Sequence, residues 1–397
     1  MKNNRFKPVK YYLVLFFALF FLFFSGDLGA IDVQKTAIVM AVGIDKEEDG
    51  FVVTSQIAIP QDGKQGKSSQ TVQLVSKGKT VSDALDEINA KTGWYPKLVF
   101  CRLIILGETA VEKNAFDCLE FFMLDEYLSD NCLIATCDGS AKELLNTSAL
   151  VDPSPSIAMQ KVLSPHAERV GSALPSTLRE FAIGYYSDSQ SGYLPVLTTK
   201  PQQETATPTA QSGDSQSGQS GGQGGEQKQQ DKPVYSASET ALFKNGKRVG
   251  TLTKEETFAY ASVKKKLRLA GYSVETDDTA YSLSIKHNGK KNKLVLKEDI
   301  PTLQISLTIT AGLSDISKTD DKTTDAGDIP QSVFHRAEQI LSSQITSAFN
   351  KCKACDCDLF GINENIQKYQ SKNYEKLKKT ALKKAILNVK VRFENVR

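Results

Sequence analysis

Three cysteines near the C-terminus, Cys352, Cys355 and Cys357, form the densest group of reactive side chains in the sequence. The spacing Cys-x-x-Cys-x-Cys suits three chemistries: free thiols, a disulfide within the group or to another chain, or three thiolate ligands to zinc completed by an outside donor. Neither a His nor a fourth Cys stands near them in the sequence. Cys101, Cys118, Cys132 and Cys137 bring the count to 7, and an odd count leaves at least one thiol unpaired. Catalysis needs a nucleophile, a base and a group to orient them. The histidines, His166, His287 and His335, are scattered in unrelated contexts. The sequence has no His-Glu-x-x-His and no phosphate-binding glycine loop of the usual spacing. The acid pairs Glu47/Glu48 and Asp320/Asp321 fall in polar turns, where solvated carboxylates are expected. The expectation is a protein with no enzymatic activity and no cofactor, whose one metal candidate is the cysteine triplet. Lys376, Lys378, Lys379, Lys383 and Lys384 make a basic helical stretch, read either as a solvated face or as a contact for anionic lipid headgroups, each lysine adding about 1 kcal/mol. With 49 basic against 46 acidic residues the net charge is only +3, which gives no support to a nucleic-acid partner.

Such groups need positioning, and the first positioning element is the N-terminus. Lys2, Arg5, Lys7 and Lys10 precede an unbroken apolar run, Tyr11 to Phe24. This is an export signal, with positive charge held inside and the rest of the chain sent outward. Fourteen helical residues span about 21 Å, short of the roughly 30 Å hydrocarbon core, as in a signal peptide. The small-residue pairs available for cleavage, Leu28/Ala30, Asp27/Gly29 and Phe24/Gly26, are poor, as in an uncleaved anchor. Both readings stand for residues 1–30.

Residues 200–232 are almost wholly Gly, Ser, Gln, Thr and Pro and lack apolar periodicity, as in a flexible tether or a long surface loop. They separate 31–199, one body or two subdomains, from 233–397. In the first region Thr36–Ile44 and Phe51–Ile59 flank a turn containing Asp49-Gly50 and predict a hairpin. Thr80 with Asp83 reads as a capping box opening a helix that carries Val81, Ala84, Leu85 and Ile88. Leu98–Leu106 reads as a strand, Val111–Leu128 as an amphipathic helix and Cys132–Thr136 as a short strand. In the second region Leu303, Ile305, Leu307 and Ile309 alternate with polar residues, and so do Leu387, Val389, Val391 and Phe393, giving strands with one buried face. Phe334, Ala337, Leu341, Ile345 and Ala348 form one stripe of a helix beginning after Pro330. Ser314–Asp328 reads as an exposed loop. The predicted fold class is α+β, multi-domain, with mixed or antiparallel sheets and packed helices behind the N-terminal segment.

Five stretches in order carry a family resemblance: TAIVMAVGID (36–45), YPKLVFCRLIILGE (95–108), CLIATCDGSAKELL (132–145), TALFKNGKRVGTLTKE (240–255) and CDLFG (357–361). Together they resemble the C subunits of spore germinant receptors, the Ger(x)C-type spore germination proteins. The resemblance singles out Gly43, Asp45, Gly107, Gly139, Phe243, Gly250, Asp358 and Gly361 as structural motif positions. It implies an accessory receptor subunit acting by contact with integral-membrane A-type and B-type subunits at the outer face of the spore inner membrane. Whether it touches the nutrient is left open. Members are usually lipoproteins, whereas here Ser25-Gly26-Asp27 stands where the lipidated Cys would lie, so anchoring falls to the apolar segment or to partner subunits. The alternative classes are an exported solute-binding or cell-surface adhesion protein and, with no catalytic constellation to recommend it, an exported hydrolase.

Overall fold

The computed structural model describes residues 7–24, 36–58, 71–147, 152, 154–200, 233–276, 279–318 and 329–396. Residues 25–30 of the cleavage pairs, residues 201–232 of the Gly/Ser/Gln-rich segment and residues 319–328 of the second polar stretch lie outside them.

The fold is built on two sheets. The first contains β1 (Thr36–Glu47), β2 (Gly50–Ala58), β3 (Thr71–Gly78), β4 (Tyr95–Lys97), β5 (Leu103–Leu106), β6 (Leu133–Cys137), β7 (Ser176–Thr177), β8 (Ser191–Lys200), β9 (Val234–Lys244) and β10 (Lys247–Leu252). Its order is β10-β9-β8-β6-β5-β1-β2-β3, with β4 beside β1 and β7 beside β6. The predicted hairpin forms, with Glu47 opposite Gly50. At the centre β1, β5 and β6 run parallel. Such strands are covered on both faces and read as continuous apolar runs. Leu103 and Ile105 accordingly enter one core and Ile104 and Leu106 the other. A bulge between Val39 and Ala41 shifts the side-chain parity of β1, so that Ala37 and Val39 share a core with Val42 and Ile44.

The second sheet has the order β11-β12-β13-β14, from Ala270–Thr276, Thr279–Lys297, Ile300–Lys318 and Ile386–Asn395. β14 runs parallel to β13, Leu303 opposite Leu387 and Ile309 opposite Phe393. Here the alternation decides the face. Leu303, Ile305, Leu307 and Ile309 are buried under the helix Gln331–Ala354, whose stripe Phe334, Ala337, Leu341, Ile345 and Ala348 is buried as its spacing predicts.

Three expectations need correction. Leu98–Leu106 is not one strand: Leu98–Phe100 is a 3-10 turn, closed when Cys101 N–H donates to the Leu98 carbonyl. Val111–Leu128 is two helices, Glu108–Lys113 and Ala115–Leu124, because Asn114 is extended, its side chain caps Phe116 N–H, and Ala115 N–H bonds the Gly246 carbonyl in β9–β10. Ser314–Lys318 is strand, since β12 supplies partners as far as Thr279 opposite Lys318. The Gly/Ser/Gln-rich segment divides the chain but not the first sheet: β8 and β9, on either side of it, are antiparallel neighbours with Lys200 opposite Val234.

Candidate functional site

The motif glycines and aspartates gather in two places. The first lies at the C-terminal ends of β1, β5 and β6. Asp45, at the end of the core segment of β1, accepts from Ser140 Oγ (2.9 Å), Ala141 N–H (2.8 Å) and Lys142 N–H (3.1 Å), holding the helix Ala141–Asn146 to the strand. Gly107 leaves room for this, since a Cβ there would lie 1.9 Å from Asp45 Oδ1. Gly43 faces the same helix, where a Cβ would meet Leu145 at 2.8 Å. Gly139 has a φ of 84°, in the left-handed region that favours glycine, and its carbonyl accepts from Glu108 N–H at 2.8 Å. Arg248 of β10 pairs with Asp138 at 2.6 Å, tying the sequence beyond the Gly/Ser/Gln-rich segment to this end of β6.

The second place joins the two sheets. Buried Asp358 accepts from Ile362 N–H (2.8 Å) and Asn363 N–H (2.7 Å) at the start of the helix Ile362–Tyr369, and its own N–H donates to Ser191 Oγ of β8 (2.9 Å). Gly361 turns the chain into that helix with a φ of 71°. Burial raises the Asp358 pKa above the usual carboxylate range, opposed by the N–H donors of Asn363, Ile362 and Gly361. Between Asp358 and Gly361, Phe360 packs edge-on to Tyr260 and Phe349, and the Tyr260 hydroxyl donates to the Leu359 carbonyl at 2.9 Å. Phe243 of β9 is buried edge-on to Phe181.

All seven cysteines are free thiols, and Cys355 and Cys357 donate to different strands. Cys357 Sγ donates to the Phe243 carbonyl (3.2 Å) and lies 3.7 Å from the Gly192 carbonyl, while Cys355 Sγ donates to Val249 (3.2 Å). A Cβ on Gly250 would meet Cys355 Sγ at 2.7 Å. Burial pushes the Cys357 thiol up to about 12 and raises Cys352 well above its ordinary value. Thiolate is the form that binds metal or attacks, and these two thiols are held protonated. Among the described residues no group of three His, Cys, Asp or Glu side chains is arranged to hold a metal ion. The triplet lines the contact between the helix Gln331–Ala354 and β8–β10. His166, His287 and His335 lie on separate elements. The basic stretch breaks into the helices Ser371–Leu377 and Ala381–Lys384, with Lys376 paired to Asp299 and Lys378 to Glu375.

A cleft of about 620 Å³ opens beside Asp358, lined from the first sheet's side by Glu180, Asp188 and Tyr193 and from the other by Tyr260, Asn363 and Tyr374. Asp188 accepts from the Tyr374 hydroxyl at 2.6 Å and from Gln367 at 3.2 Å, bridging its two walls. Ser140, Ser191, Asp188 and Tyr260 belong to these sites but carry no signal in the sequence, since each is defined by a partner about 100 residues or more away. The N-terminal helix Lys7–Phe24 exposes Tyr11, Phe16 and Phe21, and no helix among the described residues is long and apolar enough to cross a membrane.

Two family models match the chain: the spore germination protein N-terminal domain over residues 29–199, and the C-terminal region of spore germination B3/GerAC-like proteins over residues 238–396. The crystal structure of the GerBC protein is similar at a TM-score of 0.51 and 15% identity, covering 92% of this chain and 100% of that one. No curated protein matches the chain.

Proposed function

The chain belongs to the GerAC-like family of spore germination proteins, and we propose that it serves as a non-enzymatic accessory subunit of a nutrient germinant receptor at the outer face of the spore inner membrane. The observation that carries this reading is the order of the parts: both family regions follow an apolar helix preceded by basic residues, and the motif residues are spent on packing. In this reading the helix Lys7–Phe24 holds the chain at the membrane without a lipid, and the folded part docks on integral-membrane A-type and B-type subunits. Deleting the gene where no redundant copy exists abolishes the response to nutrients. Unchanged nutrient-triggered germination would overturn the proposal.

A second reading, an exported solute-binding protein, is favoured by the cleft between the two sheets, whose carboxylates and hydroxyls suit a small polar solute. Equilibrium dialysis of the purified chain against labelled amino acids and sugars separates the two: the accessory subunit retains none of them alone.

A further inference from the structure

The end of the first sheet opposite Asp45 carries an apolar surface that the described residues leave uncovered. β1 begins there, with Thr36 opposite Tyr95. Around that start lie Tyr95, Val99, Phe100, Leu124 and Tyr127, each between 46% and 77% exposed. They come from three segments, β4, the 3-10 turn Leu98–Phe100 that follows it, and the end of the helix Ala115–Leu124 with the residues after it, the last joined to the first where Lys97 meets Tyr127. Leu98, inside the same turn, is buried, so Val99 and Phe100 are presented outward by a turn that hides its other apolar side chain. Lys97 Nζ stands 4.8 Å over the Tyr127 ring, placing a cation among the aromatics, and Arg102 follows the turn with its side chain exposed.

The chain itself argues for the occupant. Residues 25–35 are all that separate the apolar helix Lys7–Phe24 from β1. Eleven residues reach at most about 40 Å when fully extended, so the sheet end at which β1 starts is tied closest to wherever that helix sits. Aromatic rings mixed with lysine and arginine are the composition of a water–membrane boundary, where amphipathic rings sit at headgroup depth and cations meet anionic headgroups. We propose that this end of the first sheet rests on the lipid bilayer, with Tyr95, Val99, Phe100, Leu124 and Tyr127 in its headgroup region. The inference rests on the membrane-held reading above and deepens it by assigning the face: the Asp45 end points away from the membrane, and the joint at Asp358 is left free for protein contacts.

The sequence has a single tryptophan, Trp94, and it adjoins Tyr95. The full chain is reconstituted into phosphatidylcholine–phosphatidylglycerol vesicles, with plain lipids or with lipids brominated near the carbonyl end of the acyl chains. Trp94 emission is expected to fall by half or more in the brominated vesicles. Moving the reporter to the β1–β2 turn (Trp94→Phe with Glu48→Trp), about 40 Å away along β1, is expected to abolish the quenching. The pair Val99→Glu and Phe100→Glu, both at exposed positions, is expected to cut Trp94 quenching at least twofold while the protein still floats with the vesicles. Flotation with equal Trp94 emission in plain and brominated vesicles overturns the inference and leaves the membrane-held reading standing. Failure to float overturns both. Shielding of Trp94 seen only in native spore membranes assigns the surface to a protein partner and overturns the inference.

Discussion

Asp45 and Asp358 perform the same local act, a carboxylate accepting main-chain N–H groups at the start of a helix, yet they differ in what they join. Asp45 closes a contact inside the first sheet, between β1 and the helix that follows β6, and it is half-buried. Asp358 is buried, and its main chain is bonded to β8, so its loop fastens the first sheet to the helices covering the second. The fold is therefore more vulnerable at Asp358. Donors that lose a half-exposed acceptor can turn to water, whereas donors buried at a joint cannot.

The largest expected effect therefore belongs to Asp358→Ala, which strands two buried N–H groups and should lower stability by roughly 2–4 kcal/mol in a denaturant titration. Asp45→Ala removes three hydrogen bonds but should cost only about 1–2 kcal/mol, the range of a helix cap. Equal losses, or a larger one at Asp45, would contradict this ranking of the two sites. Gly107→Ala tests the first site from its other side: the added Cβ evicts the Asp45 carboxylate, an overpacking cost of roughly 1–3 kcal/mol.

The two aspartates also separate with pH. The Asp358 pKa is raised in the fold, so the folded chain holds this proton more tightly than the unfolded one. The corresponding stability is fully present below the unfolded carboxylate value and is lost as pH rises through the higher folded value. Melting curves of the wild type and of Asp358→Asn across that window should diverge, the wild type losing stability with rising pH and the variant lacking that component. Parallel curves would refute the assignment.

The smallest effect concerns the thiols. Cys355 is the one cysteine of the seven that is not buried, so mild alkylation of the native chain should label one thiol, and Cys355→Ser should remove that label while stability changes little. Fast labelling of Cys352 or Cys357 would contradict their burial at the joint.

Much of this was legible in the sequence where the signal is local. The capping box of Thr80 and Asp83 forms as the spacing predicts, as do the β1–β2 hairpin and the one-faced strands β13 and β14. Local signals failed where a distant partner decides the conformation. Leu98–Leu106 is uniformly apolar because its residues serve a turn, an exposed surface and a two-faced strand in succession, and composition alone does not separate these. The polar Ser314–Lys318 is strand only because β12 reaches it. The cysteine triplet looks like a ligand set in one dimension, but in three dimensions Cys355 and Cys357 aim at carbonyls of different strands and Cys352 is buried. The motif aspartates were legible as positions and not as caps, since their helices lie across the sheet or just beyond the motif.

The proposed role requires this chain to act at the membrane by contact with integral-membrane receptor subunits. The direct measurement is affinity purification of the tagged chain from detergent-solubilised spore inner membranes after in situ crosslinking. The chain is expected to enter solution only with detergent and to carry A-type and B-type subunits crosslinked to it. A chain recovered alone, or already free in the soluble fraction before detergent is added, would contradict it.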